Sequence, residues 1–416
     1  MNQKLHIGLV AIACNPYHVS EAGLGWKSVL ALAGSHRLTV FTHTNNQADL
    51  EKFISSPAAD ARIRDVKFVF VAKQHGYLRN EASARMLNWH YYRLWLGECV
   101  EAVSCCSVGD PIDLVHHITY STWRMGSPFY QTGLPTVWGP VGGAGKVPFS
   151  AYGVLSATTR CTEALRGILS FFYRLTPTFR RSLAANTVIL ASNEETRKFL
   201  NHHTRREIGI VFPTYFDASE ATAPPAKAPG GPIHCFYGGG VIGSKGISLS
   251  LRAVAKALGQ GTDLVFKIAG QGPEREHLIE LARTLGIADH VHFLPLLSGQ
   301  DYQAVLQEAD LFLFPSFREN IGITMVDAML HHTAPIVLDT SAPSEIVTND
   351  CGWKIPVTRN ETIVENLAAA IINAHADREL LDQKCRAARE RILSSYSQKQ
   401  YLYHLEIAYQ KAYLNH

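Results

Sequence analysis

The sequence predicts an α/β protein made of two Rossmann-like domains, each a doubly wound parallel sheet. Three observations support this prediction. A chain of 416 residues exceeds one ordinary hydrophobic core and suits two domains of roughly 200 residues each. Short apolar, β-branched runs alternate with helical stretches through both halves. A proline- and glycine-rich segment without periodicity, 221–232, separates the two series and is typical of a linker.

The predicted strands follow in chain order. In the first half they are 7–13, 38–42, 66–71, 114–118, 136–138 and 187–191. In the second half they are 234–237, 264–269, 291–294, 311–315 and 335–338. Aromatic and leucine residues at helical spacing predict a last helix over 397–414. We therefore predict an N-terminal domain, a linker, a C-terminal domain and a final helix that can pack back on the first domain, with the limits 1–220, 221–232, 233–396 and 397–416.

Composition argues against several classes of protein. Apolar residues make up 46% of the chain, and a net charge of +3 is too small for a dedicated nucleic-acid binder. The eight cysteines form no Cys-x-x-Cys pair, so neither a zinc site nor a disulfide framework is predicted. The apolar run 7–14 is too short for a membrane span and lacks a signal-peptide cleavage region. We expect a cytoplasmic protein with reduced thiols.

The segment 311–329 is typical of a strand, a loop and a helix. Glu319 lies in the turn, and Gly322 can direct backbone amides toward an anionic group at the start of the helix. Asp327 follows about two helical turns later, roughly 11 Å along the axis. The two carboxylates can therefore hold different parts of one extended ligand. The alternative is an acidic helix start, which the helix dipole favours by itself.

A second glycine-rich segment, 236–246, follows a predicted strand and precedes a helix. Gly239 and Gly240 would let the backbone approach a phosphate closely, and Lys245 supplies a positive charge. No Gly-Lys-Ser/Thr is present, so this is not a Walker motif. The alternative is a flexible turn between strand and helix.

Two segments of the first half also follow predicted strands. Gly23 and Gly25 lie in a loop at 15–26, where Ser28 occupies the position of the third glycine of a dinucleotide fingerprint, so NAD binding is disfavoured. His116 and His117 end a strand where open parallel sheets bind ligands. They are either structural or able to bind a sugar hydroxyl or move a proton. If the two domains face each other, the ligand site is the cleft between them.

The segment 160–181 mixes five arginines with leucine, isoleucine and phenylalanine. Basic amphipathic segments of this kind can lie on anionic membranes. A pair of helices with a core-facing apolar side and solvated arginines is the alternative.

In this order, the segments resemble glycosyltransferase family 4, the retaining GT-B enzymes that use nucleotide-sugar donors. The resemblance covers nearly the whole chain and is strongest at 238–246, 268–273, 291–294, 315–316, 319–329 and 344–347. In the first half, 20–26, 113–117 and 138–143 are similar to members that build bacterial surface polysaccharides.

The resemblance implies roles for individual residues. Glu319 would contact the hydroxyl groups of the donor sugar, and Asp327, where the family usually has glutamate, would contact the ribose. Lys245 would meet the donor diphosphate. Gly239 or Gly240 replaces the arginine usual five or six residues earlier, so either another cation substitutes, with Arg318 and Arg124 as candidates, or activity is low. The other residues implied at the donor site are Gly23, Gly25, Gly270, Gly272, Leu294, Asn320, Ile321 and Gly322.

The implied activity is retaining transfer of a sugar from a nucleotide sugar, with His116 or His117 positioning the sugar. No Asp-x-Asp triplet occurs in the chain, so we expect no metal and no cofactor other than the co-substrate. The expected acceptor is a saccharide or lipid-linked saccharide in bacterial polysaccharide or glycolipid assembly. The expected location is the cytoplasm, with peripheral binding to the inner face of the cytoplasmic membrane as the finer expectation. Two alternatives stay open: a GT-B nucleotide-sugar epimerase and a non-catalytic nucleotide-sugar-binding protein.

Overall fold

The computed structural model describes residues 4–18, 20–57, 59–72, 84–220, 230–297 and 299–415. The chain forms two compact units, of which the first comprises Met1–Ala144, Ser170–Tyr215 and Gln398–His416 and the second comprises Gly145–Leu169 and Phe216–Ser397. The predicted N-terminal domain, 1–220, includes the segment 145–169, whereas this segment belongs to the second unit in the structure. Most of the predicted linker, 221–229, lies outside the described residues.

The first unit contains a seven-stranded parallel sheet. Its strands are β1 His6–Val10, β2 Arg37–His43, β3 Lys67–Val71, β4 Leu114–His117, β5 Thr136–Val141, β6 Val188–Ala191 and β7 Ile208–Ile210. They lie in the order β3-β2-β1-β4-β5-β6-β7, and every neighbouring pair is parallel. Six strands lie on predicted runs. The sequence misses β7 because three residues with a central glycine carry too little apolar pattern.

The helices of this unit cover both faces of the sheet. They are α1 Ser20–Leu32, α2 Gln47–Ile54, α3 Ala84–Gly109, α5 Pro177–Ala185, α6 Glu194–Asn201 and α14 Gln398–Leu414. Another helix, α4 Ala157–Leu175, contains residues of both units. None of the helices in the described ranges combines the length and apolarity needed to cross a membrane.

Residues alternate between the two faces of β4. Leu114 shares a buried cluster with Leu405 and Tyr409 of α14, whereas Val115 shares another with Trp95 of α3. Because strand side chains have a period of two, His116 faces α14 and His117 faces α3. Burial of a side chain such as that of Leu405 stabilises the fold by roughly 1.5–3 kcal/mol. The predicted final helix is confirmed, and it packs in the first unit.

The second unit contains a six-stranded parallel sheet. Its strands are β8 Ile233–Gly238, β9 Leu264–Ala269, β10 Val291–Leu294, β11 Leu311–Phe314, β12 Ala334–Leu338 and β13 Trp353–Ile355. They lie in the order β10-β9-β8-β11-β12-β13. The remaining helices are α7 Ile247–Gly259, α8 Arg275–Thr284, α9 Gly299–Glu308, α10 Ile323–Leu330, α11 Ser341–Ile346, α12 Asn360–Ala376 and α13 Arg378–Ser395. The short strand β13 is the one that the sequence does not predict.

The strand order of each sheet reverses once. In the first unit the reversal lies between β1 and β4, and in the second between β8 and β11. Open parallel sheets bind ligands at such switch points, beyond the carboxyl ends of the strands. The segment 239–246 follows β8 and the segment 315–322 follows β11, so the second switch point carries the two segments that the sequence selects most strongly.

Candidate functional site

The glycine-rich segment after β8 forms a tight turn that leads into α7. Gly239 has φ 149° and Gly246 has φ 66°, conformations that side chains disfavour. A Cβ atom at Gly246 would overlap the carbonyl oxygen of Pro315, whereas one at Gly240 would meet nothing within 4 Å. Gly240 is also exposed. Packing therefore requires glycine at 246, and Gly240 leaves its backbone open to a ligand.

The loop after β9 packs its backbone against this segment. The N–H of Gly239 donates to the carbonyl of Ala269, the last residue of β9, at 3.0 Å, and the N–H of Val241 donates to that of Gln271 in the loop at 2.9 Å. A Cβ atom at Gly270 would overlap the carbonyl oxygen of Gly239, and one at Gly272 would overlap that of Val241. Gly270 and Gly272 thus allow two loops to meet backbone to backbone, which accounts for both glycines through packing.

Lys245 and Glu319 form an ion pair. Their side chains are 18% and 11% exposed, so both charges are largely removed from water. The backbone explains their meeting, because the N–H of Phe317 donates to the carbonyl of Ser244 at 3.0 Å and joins the turn after β11 to the turn before α7. The structure therefore brings together the two residues that the resemblance assigns to the diphosphate and the sugar of one donor.

The start of α10 lies directly beyond Glu319. Gly322 is the N-cap residue and has a left-handed conformation, with φ 75° and ψ 44°. Asn320 is exposed and Ile321 is half-buried beside this helix start. The N-terminus of a helix carries a partial positive charge. Backbone dipole and ammonium group therefore both favour an anion at this place.

Asp327 lies in the second turn of α10, with its side chain 33% exposed. Its carboxylate oxygen is 3.3 Å from Nδ1 of His331, and that ring nitrogen also lies 2.9 Å from the backbone carbonyl of Asp327. Burial acts to lower the pKa of His331, but the hydrogen bonds to Asp327 outweigh it and the pKa is raised. His331 thus orients this carboxylate.

Arg318, one of the two candidate cations, is held beside Glu319. Its guanidinium donates to the carboxylate of Glu163 at 2.8 Å, and the two side chains are 20% and 7% exposed. Its Nε atom is buried and makes no hydrogen bond within the described part of the chain. The other candidate, Arg124, is bound in the first unit, where it donates to the carbonyl of Gly143 at 2.8 Å. Arg318 is therefore the better placed of the two.

The first half of α4 lies along the glycine-rich segment of the same unit. Glu274 accepts hydrogen bonds from Ser156 at 2.6 Å and from Thr159 at 3.0 Å. A Cβ atom at Gly243 would crowd the side chain of Thr159. Glu163 follows Thr159 by one helical turn, so the same face of α4 carries the partner of Arg318.

His116 and His117, predicted to position a sugar, lie inside the first unit and are 0% and 1% exposed. The Tyr409 hydroxyl donates to Nδ1 of His116 and Nε2 donates to the carbonyl of Gly139, each at 2.7 Å. The Nε2 atom of His117 lies 2.7 Å from the hydroxyl of Tyr92. Burial lowers the pKa of His116 to about 4, and burial together with His116 lowers that of His117 to about 3. This corrects the predicted role: both are neutral internal residues.

Gly23 and Gly25, predicted in a loop, lie in the first turns of α1. A Cβ atom at Gly25 would overlap the carbonyl oxygen of Ala13, and one at Gly23 would crowd the carbonyl of His18. The glycines thus let α1 begin close to the segment that leaves β1. The loop prediction is wrong because glycines that serve close packing look the same in sequence as glycines that serve a turn.

Sequence reasoning missed three carboxylates that the structure uses: Glu21, Glu163 and Glu274. Glu21 lies at the switch point of the first sheet and accepts the backbone N–H of Tyr120 at 2.6 Å, while burial raises its pKa. Glu163 meets Arg318 across 155 positions. No local pattern carries such pairings. Leu294, in contrast, ends β10 as predicted, and its carbonyl accepts from Arg275 at 3.3 Å.

Within the described ranges, no group of three or more histidine, cysteine, aspartate and glutamate side chains is arranged to hold a metal ion. The cysteines described are all free thiols.

The part of the chain that matches a known family contains the residues at the second switch point. Residues 217–391 match the family model described as "Glycosyl transferases group 1". The match includes Lys245, Arg318, Glu319 and Asp327. The putative colanic acid biosynthesis glycosyltransferase WcaL of Salmonella typhimurium is 24% identical over 191 residues, 44% of this chain and 46% of that protein. The chain spans less than half the length of the first curated relatives that it matches.

Solved structures share the fold over almost the whole chain. Sucrose-phosphate synthase from Thermosynechococcus elongatus has a TM-score of 0.65 at 14% identity, covering 99% of this chain and 100% of that chain. HepE from Anabaena, solved with UDP and glucose, has a TM-score of 0.59 at 12% identity, covering 97% and 99%. The predicted GT-B fold class, with two Rossmann-like domains, is confirmed, and so is the predicted resemblance to glycosyltransferases.

Proposed function

We propose that this chain, whose residues 217–391 match the family model described as "Glycosyl transferases group 1", transfers a sugar from a nucleotide-sugar donor to a hydroxyl group of an acceptor. The observation that carries the proposal is the ion pair of Lys245 and Glu319 at the switch point of the second sheet. It sets a cation for a diphosphate and a carboxylate for sugar hydroxyl groups side by side, next to exposed glycine backbone and a helix start.

A nucleotide sugar suits this arrangement chemically. Its diphosphate needs positive charge and backbone N–H donors, which Lys245, Gly240 and the start of α10 can supply. Its sugar presents hydroxyl groups, which a carboxylate such as Glu319 accepts well. Asp327, which lies in the second turn of α10 and is oriented by His331, is assigned to the ribose. The relation to HepE, which was solved with UDP and glucose, supports a donor of this class.

Arg318 is proposed as the second cation of the diphosphate site. Gly239 and Gly240 stand where related enzymes have an arginine, so that positive charge must come from elsewhere. Arg318 precedes Glu319 in the chain, and its Nε–H has no hydrogen-bond acceptor among the described residues. A buried donor of this kind is stabilised when it meets an anion.

The proposed reaction is a single transfer with retention of anomeric configuration. The acceptor oxygen forms a bond to the anomeric carbon while the bond from that carbon to the donor phosphate breaks, and its electron pair leaves with the nucleoside diphosphate. A donor phosphate oxygen takes the acceptor proton. Lys245 and Arg318 stabilise the charge that develops on the leaving group, which is the main catalytic contribution in this scheme.

The proposal requires neither a metal ion nor a cofactor. Lys245 and Arg318 supply the positive charge that a divalent ion supplies in Asp-x-Asp enzymes. No Asp-x-Asp triplet occurs in the chain. Addition of EDTA should accordingly leave turnover unchanged.

The proposed acceptor is a saccharide or a lipid-linked saccharide in bacterial polysaccharide or glycolipid assembly. Similarity to WcaL, named for colanic acid biosynthesis, supports this process. We place the enzyme in the cytoplasm, peripheral on the inner face of the membrane, with 160–181 as the contacting segment.

The direct test is mass spectrometry of products from UDP- and GDP-linked sugars with extracted polyprenyl-linked saccharides as acceptors. The expected product is a glycoside with retained configuration. An epimerised donor without a glycoside would show an epimerase instead, and binding of UDP or GDP without any turnover would show a non-catalytic protein.

Lys245→Ala tests the assignment within the site. We expect weaker binding of UDP or GDP, by at least tenfold, because a charge-assisted contact contributes about 1.5–3 kcal/mol. Binding of the matching nucleoside should change little. Lys267→Ala, which removes a surface cation paired with Glu308 in the same unit, is the control. Equal losses for nucleoside and diphosphate would argue against a phosphate role for Lys245.

A further inference from the structure

The outer face of α4 is apolar and exposed. Its large side chains are each between 40% and 59% exposed: Leu165, Ile168, Leu169, Phe171, Phe172 and Leu175. Most of them recur at intervals of three, four and seven residues, so they form one continuous stripe along the helix. Six exposed large apolar residues on a single helix are far more than isolated surface residues require.

The opposite face of α4 is anchored. Glu163 and Ser170, seven residues apart, are buried; Glu163 binds Arg318, and Ser170 accepts hydrogen bonds from the Arg124 guanidinium at 3.0 and 3.3 Å. Glu163 is held within the second unit and Ser170 within the first, and both lie on the side of α4 away from the stripe. The apolar stripe is therefore held outward by packing on its other side.

A cavity of about 430 Å³ opens at the end of this stripe. Apolar walls come from Phe171, Leu175 and Phe179, and polar groups come from Arg174, Arg180 and His203. The Arg174 guanidinium lies 5.4 Å from the centre of the Phe171 ring. The cavity therefore combines an apolar interior with two guanidinium groups, which suits a molecule that has both an anionic and an apolar part.

The charge of the cavity is positive and uncompensated by acidic groups. No carboxylate is among its lining residues, which include Arg174 and Arg180. Burial, with Arg174 and His202 nearby, lowers the pKa of His203, so the histidine stays neutral at pH 7 and can offer a hydrogen bond. Arg160 and Arg181, at either end of the segment, are exposed as well.

We propose that the apolar stripe of α4 enters the interface of an anionic membrane and that the cavity holds the phosphate of an anionic phospholipid between Arg174 and Arg180. Acyl chains would cover the apolar side chains of the stripe, and the arginines would contact the lipid headgroups. A second copy of the chain is a poorer occupant, because a symmetric contact through this face would bring the arginine clusters of the two copies together.

This inference rests on the proposed role at a membrane and adds a defined lipid site to it. General attraction between a basic surface and an anionic bilayer depends on the number of charges and not on their positions. A phosphate held in a cavity depends on particular arginines. The two cases are separable by variants that remove equal charge at different positions.

The test compares two double variants in sedimentation with vesicles of equal parts phosphatidylcholine and phosphatidylglycerol. Arg174→Gln with Arg180→Gln removes the cavity charges. Arg160→Gln with Arg181→Gln removes the same charge from exposed positions outside the cavity. General attraction predicts a loss of about fivefold per arginine for both variants. The lipid site predicts at least a tenfold greater loss for the cavity variant, with unchanged thermal unfolding midpoints in both.

Other outcomes would overturn the inference in distinguishable ways. Equal losses for the two double variants would leave no lipid site. Binding of inorganic phosphate without binding of vesicles would make the cavity a site for a free anion. A dimer in sedimentation velocity that Phe172→Ser dissociates would show that a second copy covers the stripe. Absence of vesicle binding by the wild type would remove the membrane role, while titration of the same protein with UDP or GDP would still test the donor site.

Discussion

The carboxyl ends of β4 and β11 occupy equivalent places in the two sheets, yet they differ in how far other elements cover them. In the second unit, Lys245 after β8 and Glu319 after β11 pair with each other and stay partly exposed, next to the exposed Gly240. At the end of β4, α14 covers His116 through Tyr409, and α3 covers His117 through Tyr92. One strand end is open to a ligand and the other is closed.

The difference shows that position on a sheet is a necessary but insufficient guide to function. Polar residues at a switch point are available for chemistry only where no element packs over them. In the first unit, α14 from the far end of the chain packs over the end of β4. His116 is therefore buried, and its ring nitrogens form hydrogen bonds inside the protein. Glu21 and Tyr120, which also lie at the first switch point, are not covered in this way, and Tyr120 is 48% exposed.

The largest expected effect is on sugar transfer, through the open site formed by Lys245 and Glu319. Glu319→Gln keeps the size of the side chain and removes its charge, so it should lower sugar transfer on the order of 10²–10³-fold in kcat/KM, as loss of a preorganised electrostatic group does. The thermal unfolding midpoint should fall only slightly, because the amide oxygen can still accept a hydrogen bond from Lys245.

Glu308→Gln is the matched control for that variant. It removes a carboxylate that also pairs with a lysine in the second unit, but at the surface. We expect its turnover to equal that of the wild type. Full activity of Glu319→Gln would remove this residue from the site and break the comparison.

Acid pH should lower the stability of the fold through His116 and His117, which are buried at the end of β4. The two buried histidines accept protons below about pH 6.5 in the unfolded chain but only near pH 4 and 3 in the folded one. The unfolded state therefore binds more protons, and stability present above pH 6.5 is lost as pH falls toward 4. The loss should be about 1.4 kcal/mol per pH unit for each histidine, measured by urea unfolding.

His116→Leu isolates this contribution from that of the other histidines. The variant should be less stable at pH 7 by roughly 1–3 kcal/mol, because Tyr409 and Gly139 lose their partner. Its stability should also fall less steeply between pH 6.5 and 4. A slope identical to that of the wild type would contradict a buried neutral His116, and a loss of turnover without loss of stability would restore a role in catalysis.

A smaller effect would sharpen the description of the open site. Arg318→Gln should weaken binding of UDP or GDP about tenfold, since a charge-assisted hydrogen bond contributes about 1.5–3 kcal/mol. Glu163→Gln removes the present partner of Arg318 and should strengthen that binding severalfold. Calorimetric titration measures both.

The opposite signs of these two variants are the decisive feature. If Arg318 only anchors α4, both variants should lower the unfolding midpoint and leave nucleotide affinity unchanged. Arg318→Lys, which keeps the charge but not the planar fork, should recover part of the affinity in the binding case.

Several elements were accessible to sequence reasoning because their signals are local. The runs 264–269 and 291–294 coincide with β9 and β10, and 398–414 lies within the predicted final helix. Buried parallel strands read as continuous apolar runs, and a packed helix reads as a periodic one. The strands β7 and β13 escaped because three residues are too few to show either pattern.

By itself, the sequence determined two α/β domains, a glycine-rich turn with Lys245, and a strand, loop and helix with Glu319 and Asp327. Each depends on residues near one another in the chain, where backbone preference and periodicity act. Tertiary structure alone decided that Lys245 meets Glu319, that Glu163 holds Arg318, and that Tyr409 closes His116 inside. Those pairings join residues 74, 155 and 293 positions apart. Contacts of that separation depend on how whole elements pack, and no local pattern encodes them.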